Sequence, residues 1–242
     1  MTSYTCDFCE QTLDAADEAA LIQLVVTHFQ EAHSEYGIGE TAVRNYFAAF
    51  HRLTGATERL DEIGSVETAP VGPERLDDIL SFFDRDAFAG MPEWAACYCM
   101  YHHLPHDMWE DRTWEENRGD LGDRITSGAT TGVLAYSDGK LIGWCNASLR
   151  RELPARAGGT EDDGTVLVTS CFQVAPPYRG HGVAGRLLDA AIDLARELGC
   201  SAVEGFPNPK PDATNPEAFP GPAALYRSAG FDVEDRHAWL DL

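Results

Sequence analysis

Apolar residues in the first third of the chain recur at helical spacing. Over residues 12–33, Leu21, Leu24, Val25, His28 and Phe29 fall three and four positions apart on one face, which predicts a helix stopped at Gly37 and Gly39. A second helix is predicted over 41–53, with Val43, Tyr46, Phe47 and Phe50 on its stripe; Gly55 and Gly64 punctuate the stretch after it. These elements predict a small, mainly helical first unit over residues 1–64. Residues 66–71 then read as a strand closed by Gly72 and Pro73, opening a second unit over 65–242.

In that second unit helices are expected at 74–83, 93–103 and 113–128. Residues 131–136 and 140–149 alternate apolar and small residues on either side of Asp138 and Gly139, a strong hairpin signal. Residues 151–164 are a polar, glycine-containing loop. Then come a buried strand (165–174), a helix (183–198), a strand (201–206), a proline-rich loop (206–222), a short helix (223–229) stopped by Gly230, and a last strand (231–242). The expected fold is therefore α/β, a mixed sheet flanked by helices. There is no internal repeat.

Composition adds bounds. The 242 residues, 44% apolar and 10% aromatic, suffice for one medium domain with a small appendage. With 40 acidic residues against 18 Lys+Arg, the net charge of −22 repels nucleic acid and anionic lipid, so neither is expected as a partner. No apolar run reaches the roughly 20 residues of a membrane span. The start of the chain has no signal-peptide pattern, and seven cysteines fit reduced thiols, so the expected location is cytoplasmic.

The chemistry concentrates between Cys171 and Leu188: a strand, a turn, a glycine-bearing loop and a helix whose stripe is Val183, Leu187, Leu188, Ala191, Leu194, Ala195 and Leu198. Amides crowded at a helix N-terminus bind anions, so this segment is expected to hold phosphates. In isolation a Gly-x-Gly pair is equally an ordinary strand–helix turn. A Gly-Lys-Ser/Thr P-loop and a dinucleotide Gly-x-Gly-x-x-Gly with a downstream acid are both missing.

The segment resembles the GNAT superfamily of acyl-CoA N-acyltransferases. Their Gln/Arg-x-x-Gly-x-Gly/Ala signature stands here as Arg179, Gly182 and Ala184, and Leu225, Tyr226, Gly230 and Phe231 match a second family segment. The resemblance covers about residues 66–242. It implies a mixed sheet in which strands 165–174 and 201–206 splay apart and the acyl-pantetheine arm of acetyl-CoA lies between them. It implies that amides of Phe172, Gln173 and Val174 bind the arm and polarise the thioester. Amides of Gly180, His181, Gly182, Val183, Ala184 and Gly185 would bind the pyrophosphate, with Arg179 or Arg186 adding charge. A neutral amine, small-molecule or on a protein or peptide, attacks directly, and Tyr226 is the implied acid for the departing thiolate; its plain alternative is a buried core aromatic. The strand before the loop lacks the Glu of many relatives, so Glu204 or a water chain is left as the base. Cys171 could carry an acyl group but reads as a small hydrophobe. The competing function is a non-catalytic acyl-CoA-binding regulator whose first unit recruits a partner; a nucleotide-binding protein is a third. A homodimer is compatible with the sequence.

Two further clusters stand out. Residues 91–103, with residues 143–146, resemble a GNAT subgroup carrying W-x-x-C-x-C and GWC segments, where Trp94, Tyr98, Tyr101 and Trp144 wall an acceptor pocket or are core. Cys97, Cys99, His102, His103 and His106 lack a standard zinc spacing. Cys6, Cys9, His28 and His33 have the paired spacings of a two-Cys, two-His zinc site, although Cys9 to His28 is longer than the usual finger's interval of about 12. A structural Zn2+ would staple a unit with a limited core; the alternative is unligated Cys and a capping His. Residues 1–64 hold only Arg44, Arg52 and Arg59 against eleven acidic residues, which excludes a DNA-binding finger in favour of a structural or protein-binding role.

Overall fold

The structure, a computed structural model, describes residues 2–154, 165–208 and 219–242. The loops expected at 151–164 and 206–222 therefore lie partly outside the described residues. The chain opens with a hairpin, β1 (Thr2–Thr5) and β2 (Thr12–Ala15), followed by α1 (Glu18–Ala32) and α2 (Glu40–Arg52). Residues 12–15, expected as helix, are strand. The helix starts only where Asp17 caps it, accepting from the Ala20 amide at 2.9 Å. Leu21, Val25, Val26, Phe29, Val43 and Phe47 form a small core under the hairpin.

A seven-stranded sheet carries the rest: β3 (Val66–Pro70), β4 (Gly132–Ser137), β5 (Lys140–Leu149), β6 (Val166–Val174), β7 (Ala202–Gly205), β8 (Asp232–Glu234) and β9 (His237–Asp241), in the order β3-β4-β5-β6-β7-β9-β8. All pairs are antiparallel except β6 with β7. The β4–β5 turn has Asp138 and Gly139 both at positive φ (50° and 74°), the conformation the Asp-Gly pair encodes. The expected final strand is instead the β8–β9 hairpin, broken at Asp235, which has φ 49°.

Helices α3 (Leu76–Arg85) and α4 (Trp114–Ser127) cover one face. Thr113 and Glu116 close a capping box on α4, and Gly128 ends it at φ 72°. Helices α5 (Val183–Glu197) and α6 (Ala223–Ser228) cover the other. The helix expected at 93–103 is a run of short 3-10 turns, because Tyr98 and Cys99 adopt left-handed backbone (φ 45° and 59°) that an α-helix cannot contain. Tyr98 and Trp144 are fully buried, which makes them core; Trp94 and Tyr101 are partly exposed.

Two local devices shape the sheet centre. The β5–β6 register runs Asn146↔Cys171 and then Ala147↔Thr169, leaving Ser170 as the extra residue of a bulge. The bulge resets the alternation: Thr169 and Phe172 face the α5 side, while Cys171 turns toward α3 and α4. Pairing of β6 with β7 covers only Val166–Thr169 opposite Ala202–Gly205, so β6 continues five residues beyond its partner. The two strands part there.

Gly205 ends β7 against the Tyr226 ring of α6. A Cβ at Gly205 would overlap that ring and lie 2.8 Å from its hydroxyl. Tyr226 is itself fixed by edge contacts with Phe172 and Phe231. Gly205→Ala is therefore expected to destabilise the protein by about 1–3 kcal/mol, read as a lowered urea midpoint with unchanged m-value.

Candidate active site

The strand–loop–helix segment folds as its glycines require. Gly180 and Gly182 both have φ 77°, and Gly182 caps α5 without a side-chain hydrogen bond. The first-turn amides of Val183, Ala184 and Gly185 thus lack partners within the helix and point out of its positive end. Arg186 is exposed one turn in. Arg179 donates from Nε to the Val174 carbonyl at 2.9 Å, tying the loop to the end of β6, and burial lowers its pKa.

A residue not singled out by the sequence completes this loop. The linker after α2 crosses it: the Leu60 amide donates to the Pro177 carbonyl, and His181 Nε2 lies 2.9 Å from the Leu60 carbonyl. This lays Arg59 over Gly180, where a Cβ would sit 3.2 Å from the guanidinium carbon. The signal available in the sequence is scarcity: few cations exist in a chain of net charge −22.

The loop forms one end of a groove of about 760 Å³ that runs past Phe172, Val174 and Leu225 to Phe219. It follows the edge of β6 left open beyond Thr169. The Phe172 amide, on that edge, donates to the Phe219 carbonyl at 2.6 Å. Gln173 turns its side chain to the other face, where Nε2 donates to the Ala87 carbonyl. Tyr226 stands at the fork. Its hydroxyl lies 3.0 Å from Thr169 Oγ1 and 2.9 Å from the Pro220 carbonyl.

Glu204 departs from expectation. It neighbours Gly205, so strand alternation places its side chain on the opposite face of β7 from Tyr226. It is buried there. Oε2 accepts from Arg150 Nε (2.9 Å) and Nη2 (2.7 Å), and Oε1 is 2.8 Å from His237 Nε2. Both oxygens are committed, which is the wrong condition for a free base.

Cys99 occupies the α3/α4 side of the sheet. Its Sγ accepts from Trp144 Nε1 and Asn146 Nδ2, each at 3.3 Å. Asn146 is oriented in turn: Nδ2 lies 2.8 Å from His103 Nε2, and Oδ1 accepts from Ser148 at 2.8 Å. The neighbouring Cys171 thiol, with the bonds from Asn146 and Trp144, draws the Cys99 thiol below its usual pKa against the effect of burial. His103, 3.1 Å from the Glu152 carbonyl through Nδ1, is pushed down to about 4 by burial and by Arg124.

The first unit gathers Cys6, Cys9, His28 and His33, whose ligand atoms all lie within 4.8 Å of one another. The cysteines stand at the β1–β2 turn. His28 is on the last turns of α1 and His33 caps it. Cys6 Sγ is 3.4 Å from His33 Nε2, and Cys9 Sγ is 3.5 Å from His28 Nε2. Those spacings suit a tetrahedral Zn2+ with Zn–S about 2.3 Å and Zn–N about 2.0–2.1 Å. The long Cys9–His28 interval is taken up by β2 and most of α1. Among the described residues Cys97, Cys99, His102, His103 and His106 form no such group.

Comparison with known proteins bears on this geometry. No curated protein sequence matches the chain. Among solved structures, the PaiA N-acetyltransferase from Thermoplasma acidophilum in complex with coenzyme A is similar at 16% identity, covering 74% of this chain and 99% of that one with TM-score 0.45. An N-acetyltransferase from Staphylococcus aureus Mu50 is similar at 16% identity, 74% and 99% coverage and TM-score 0.44. A ribosomal-protein-alanine N-acetyltransferase from Brucella melitensis is similar at 18% identity, 74% and 99% coverage and TM-score 0.41. The acetyltransferase (GNAT) family model matches residues 89–231, more than half of the chain and the whole span from the left-handed turn at Tyr98 to Phe231. The chain belongs to the GNAT acetyltransferase family.

Proposed function

We propose that the protein transfers an acetyl group from acetyl-CoA to an amine by direct attack on the thioester. The observation that carries the reading is the open edge of β6 beyond Thr169, bounded at one end by the Gly180–Gly182 loop and at the fork by the Tyr226 hydroxyl. An extended pantetheine arm pairs with such an edge as a strand does. The Phe172 and Val174 amides on β6 serve it, the Phe219 carbonyl giving way at Phe172. The pyrophosphate lies on the amides of residues 180–185, with Arg59, Arg179 and Arg186 supplying charge. Tyr226 protonates the departing thiolate. Glu204 in this reading holds Arg150 and His237 and is not the base.

The acceptor is an amine on a small molecule, protein or peptide. A regulator that binds acyl-CoA without turnover keeps one observation in its favour. Between the two units lies a groove of about 740 Å³ lined by Tyr4, Phe8, Tyr46, Phe50 and the carboxylates of Asp7 and Glu93, suited to a partner. The protein carries no described helix long and apolar enough to cross a membrane, and its net charge opposes nucleic acid.

In the first unit we assign a structural Zn2+ to Cys6, Cys9, His28 and His33. It would close the hairpin onto α1 and stabilise a unit whose own core is small.

Two experiments test these assignments. Tyr226→Phe is expected to lower kcat about 10²-fold with the acetyl-CoA Kd unchanged in calorimetry, while Arg59→Ala weakens acetyl-CoA a few-fold; a Tyr226→Phe protein with full output supports the regulator instead. Elemental analysis of the purified protein is expected to find one zinc per chain, lost in Cys9→Ser together with a lowered Tm. Wild-type protein free of zinc after purification without chelator contradicts the assignment.

A further inference from the structure

Thr169 stands at the fork, the last residue of β6 to pair with β7, opposite Gly205. Thr169 and Tyr226 are both fully buried. The Thr169 hydroxyl has one hydrogen to give and two acceptors within reach, the Glu204 carbonyl at 3.2 Å and the Tyr226 oxygen at 3.0 Å. The phenol hydrogen is directed elsewhere, to the Pro220 carbonyl at 2.9 Å. Two hydroxyl oxygens 3.0 Å apart need a hydrogen between them, and Thr169 is the residue left to supply it. The phenol oxygen thus accepts from β6 while its own proton points to Pro220. In the other consistent arrangement Tyr226 donates to Thr169 and Thr169 to Glu204, which turns the phenol proton inward.

Several features of the fold converge on this contact. Thr169 and Phe172 are three residues apart and would face opposite sides of a regular strand; the Ser170 bulge brings both onto Tyr226. Phe172 meets the phenol ring edge-on with centroids 6.3 Å apart, and Phe231 does so at 5.2 Å. The bare backbone of Gly205 admits the ring from below. These contacts fix where the phenol lies, and Thr169 fixes what its oxygen accepts. Pro220 marks the direction in which the proton leaves. The Phe219 carbonyl holds the Phe172 amide and the next carbonyl holds the phenol proton. Two consecutive carbonyls therefore stand on the two groups that the acetyl-CoA reading reserves for the cosubstrate, and they give way together.

We propose that Thr169 is a positioning residue for the acid: its hydroxyl donates to the Tyr226 oxygen, aims the phenol proton toward the place now held by Pro220, and steadies the phenolate that forms when the proton leaves. This rests on the acetyltransferase reading with Tyr226 as its acid. As the carbon–nitrogen bond forms and the carbon–sulfur bond breaks, Tyr226 gives its Oη proton to the sulfur, so an O–H bond is exchanged for an S–H bond. Thr169 keeps its own hydrogen throughout and touches no substrate. The phenolate regains a proton from the nitrogen that has attacked, and nothing is oxidised or reduced. A hydrogen bond to a charged oxygen is stronger than one to a neutral oxygen. The Thr169 bond therefore tightens as the proton departs, which favours the transition state over the ground state.

Two matched pairs isolate the hydroxyl: wild type against Thr169→Val, and Thr169→Ser against Thr169→Ala. The full chain is assayed for thiol release with acetyl-CoA and, as acceptor probes, spermidine, kanamycin and a lysine-containing peptide; acetyl-CoA binding is measured by calorimetry. Thr169→Val and Thr169→Ala are expected to lose about 10- to 10²-fold in kcat, with Thr169→Ser close to wild type and the acetyl-CoA Kd unchanged throughout. Because Thr169 acts through Tyr226, the double variant Thr169→Val/Tyr226→Phe should be no slower than Tyr226→Phe alone. A readout apart from turnover comes from tyrosine labelled with carbon-13 at Cζ. The resonance missing in Tyr226→Phe belongs to Tyr226; it should shift in Thr169→Val and Thr169→Ala and hold its place in Thr169→Ser. The Ser and Ala pair carries the test if Thr169→Val does not fold.

Full kcat in Thr169→Val and Thr169→Ala beside a slow Tyr226→Phe overturns the role of Thr169 and leaves Tyr226 as the acid. A Tyr226 resonance that does not move overturns it as well. So do losses that multiply in the double variant, which place the effect of Thr169 elsewhere. Thr169→Ser as slow as Thr169→Ala makes the methyl group, and not the hydroxyl, the part that matters. Full turnover by Tyr226→Phe, or a wild type that releases no thiol with any probe, sinks the reading on which the role of Thr169 rests.

Discussion

The parting of β6 from β7 governs the molecule. Up to Thr169 and Gly205 the two strands satisfy each other's backbone; beyond that point β6 presents an open edge inside the protein. Buried backbone donors left unpaired are costly, so such an edge persists only where something takes the place of the missing strand. Here the Phe219 carbonyl serves the Phe172 amide. The ring of Tyr226, seated against a residue with no side chain, keeps the fork from closing. The Ser170 bulge adds a second consequence by putting Thr169 and Phe172 on the same face, both against Tyr226.

Charge is organised against the background of the whole chain. Against a net charge of −22, the Gly180–Gly182 loop gathers Arg59, Arg179 and the first-turn amides of α5 in one place. The glycines permit the amides to converge, and the linker from the first unit carries Arg59 over Gly180. The hydrogen bonds of Leu60 to Pro177 and His181 make the two units interdependent at this point. So do Asn45, bonded to Arg112 and Trp114, and Arg52, bonded to Tyr98. The packing of α1 and α2 thereby bears on the Gly180–Gly182 loop at a distance.

Much of this is legible in the sequence where a signal is local. The α5 stripe, the Asp138–Gly139 turn and the Thr113–Gly128 helix limits each rest on a few adjacent side chains and their backbone preferences. The paired cysteines and histidines are equally plain, since spacing along a helix and a turn suffices. The β1–β2 hairpin escapes a reading of the sequence because its four-residue strands are too short for periodicity. The turns at 93–103 escape it because a left-handed Tyr98 and Cys99 are imposed by packing rather than preferred. Arg59 carries no motif. Glu204 looks available in the sequence, which does not display Arg150 and His237 reaching its carboxylate from elsewhere in the chain.

By itself the sequence determined the class of fold, the position of the glycine loop before α5 and the family to which the residues around Arg179 and Tyr226 belong. Those properties reside in contiguous segments, where each residue acts on its near neighbours. The tertiary structure decided what each side chain faces. Glu204 and Tyr226 are 22 residues apart in sequence and on opposite sides of β7. Cys99, from a turn, and Trp144 and Asn146, from β5, share one sulfur-centred network. Hydrogen bonding and steric contact act through space over a few ångströms, and only the folded chain sets which groups fall within that reach.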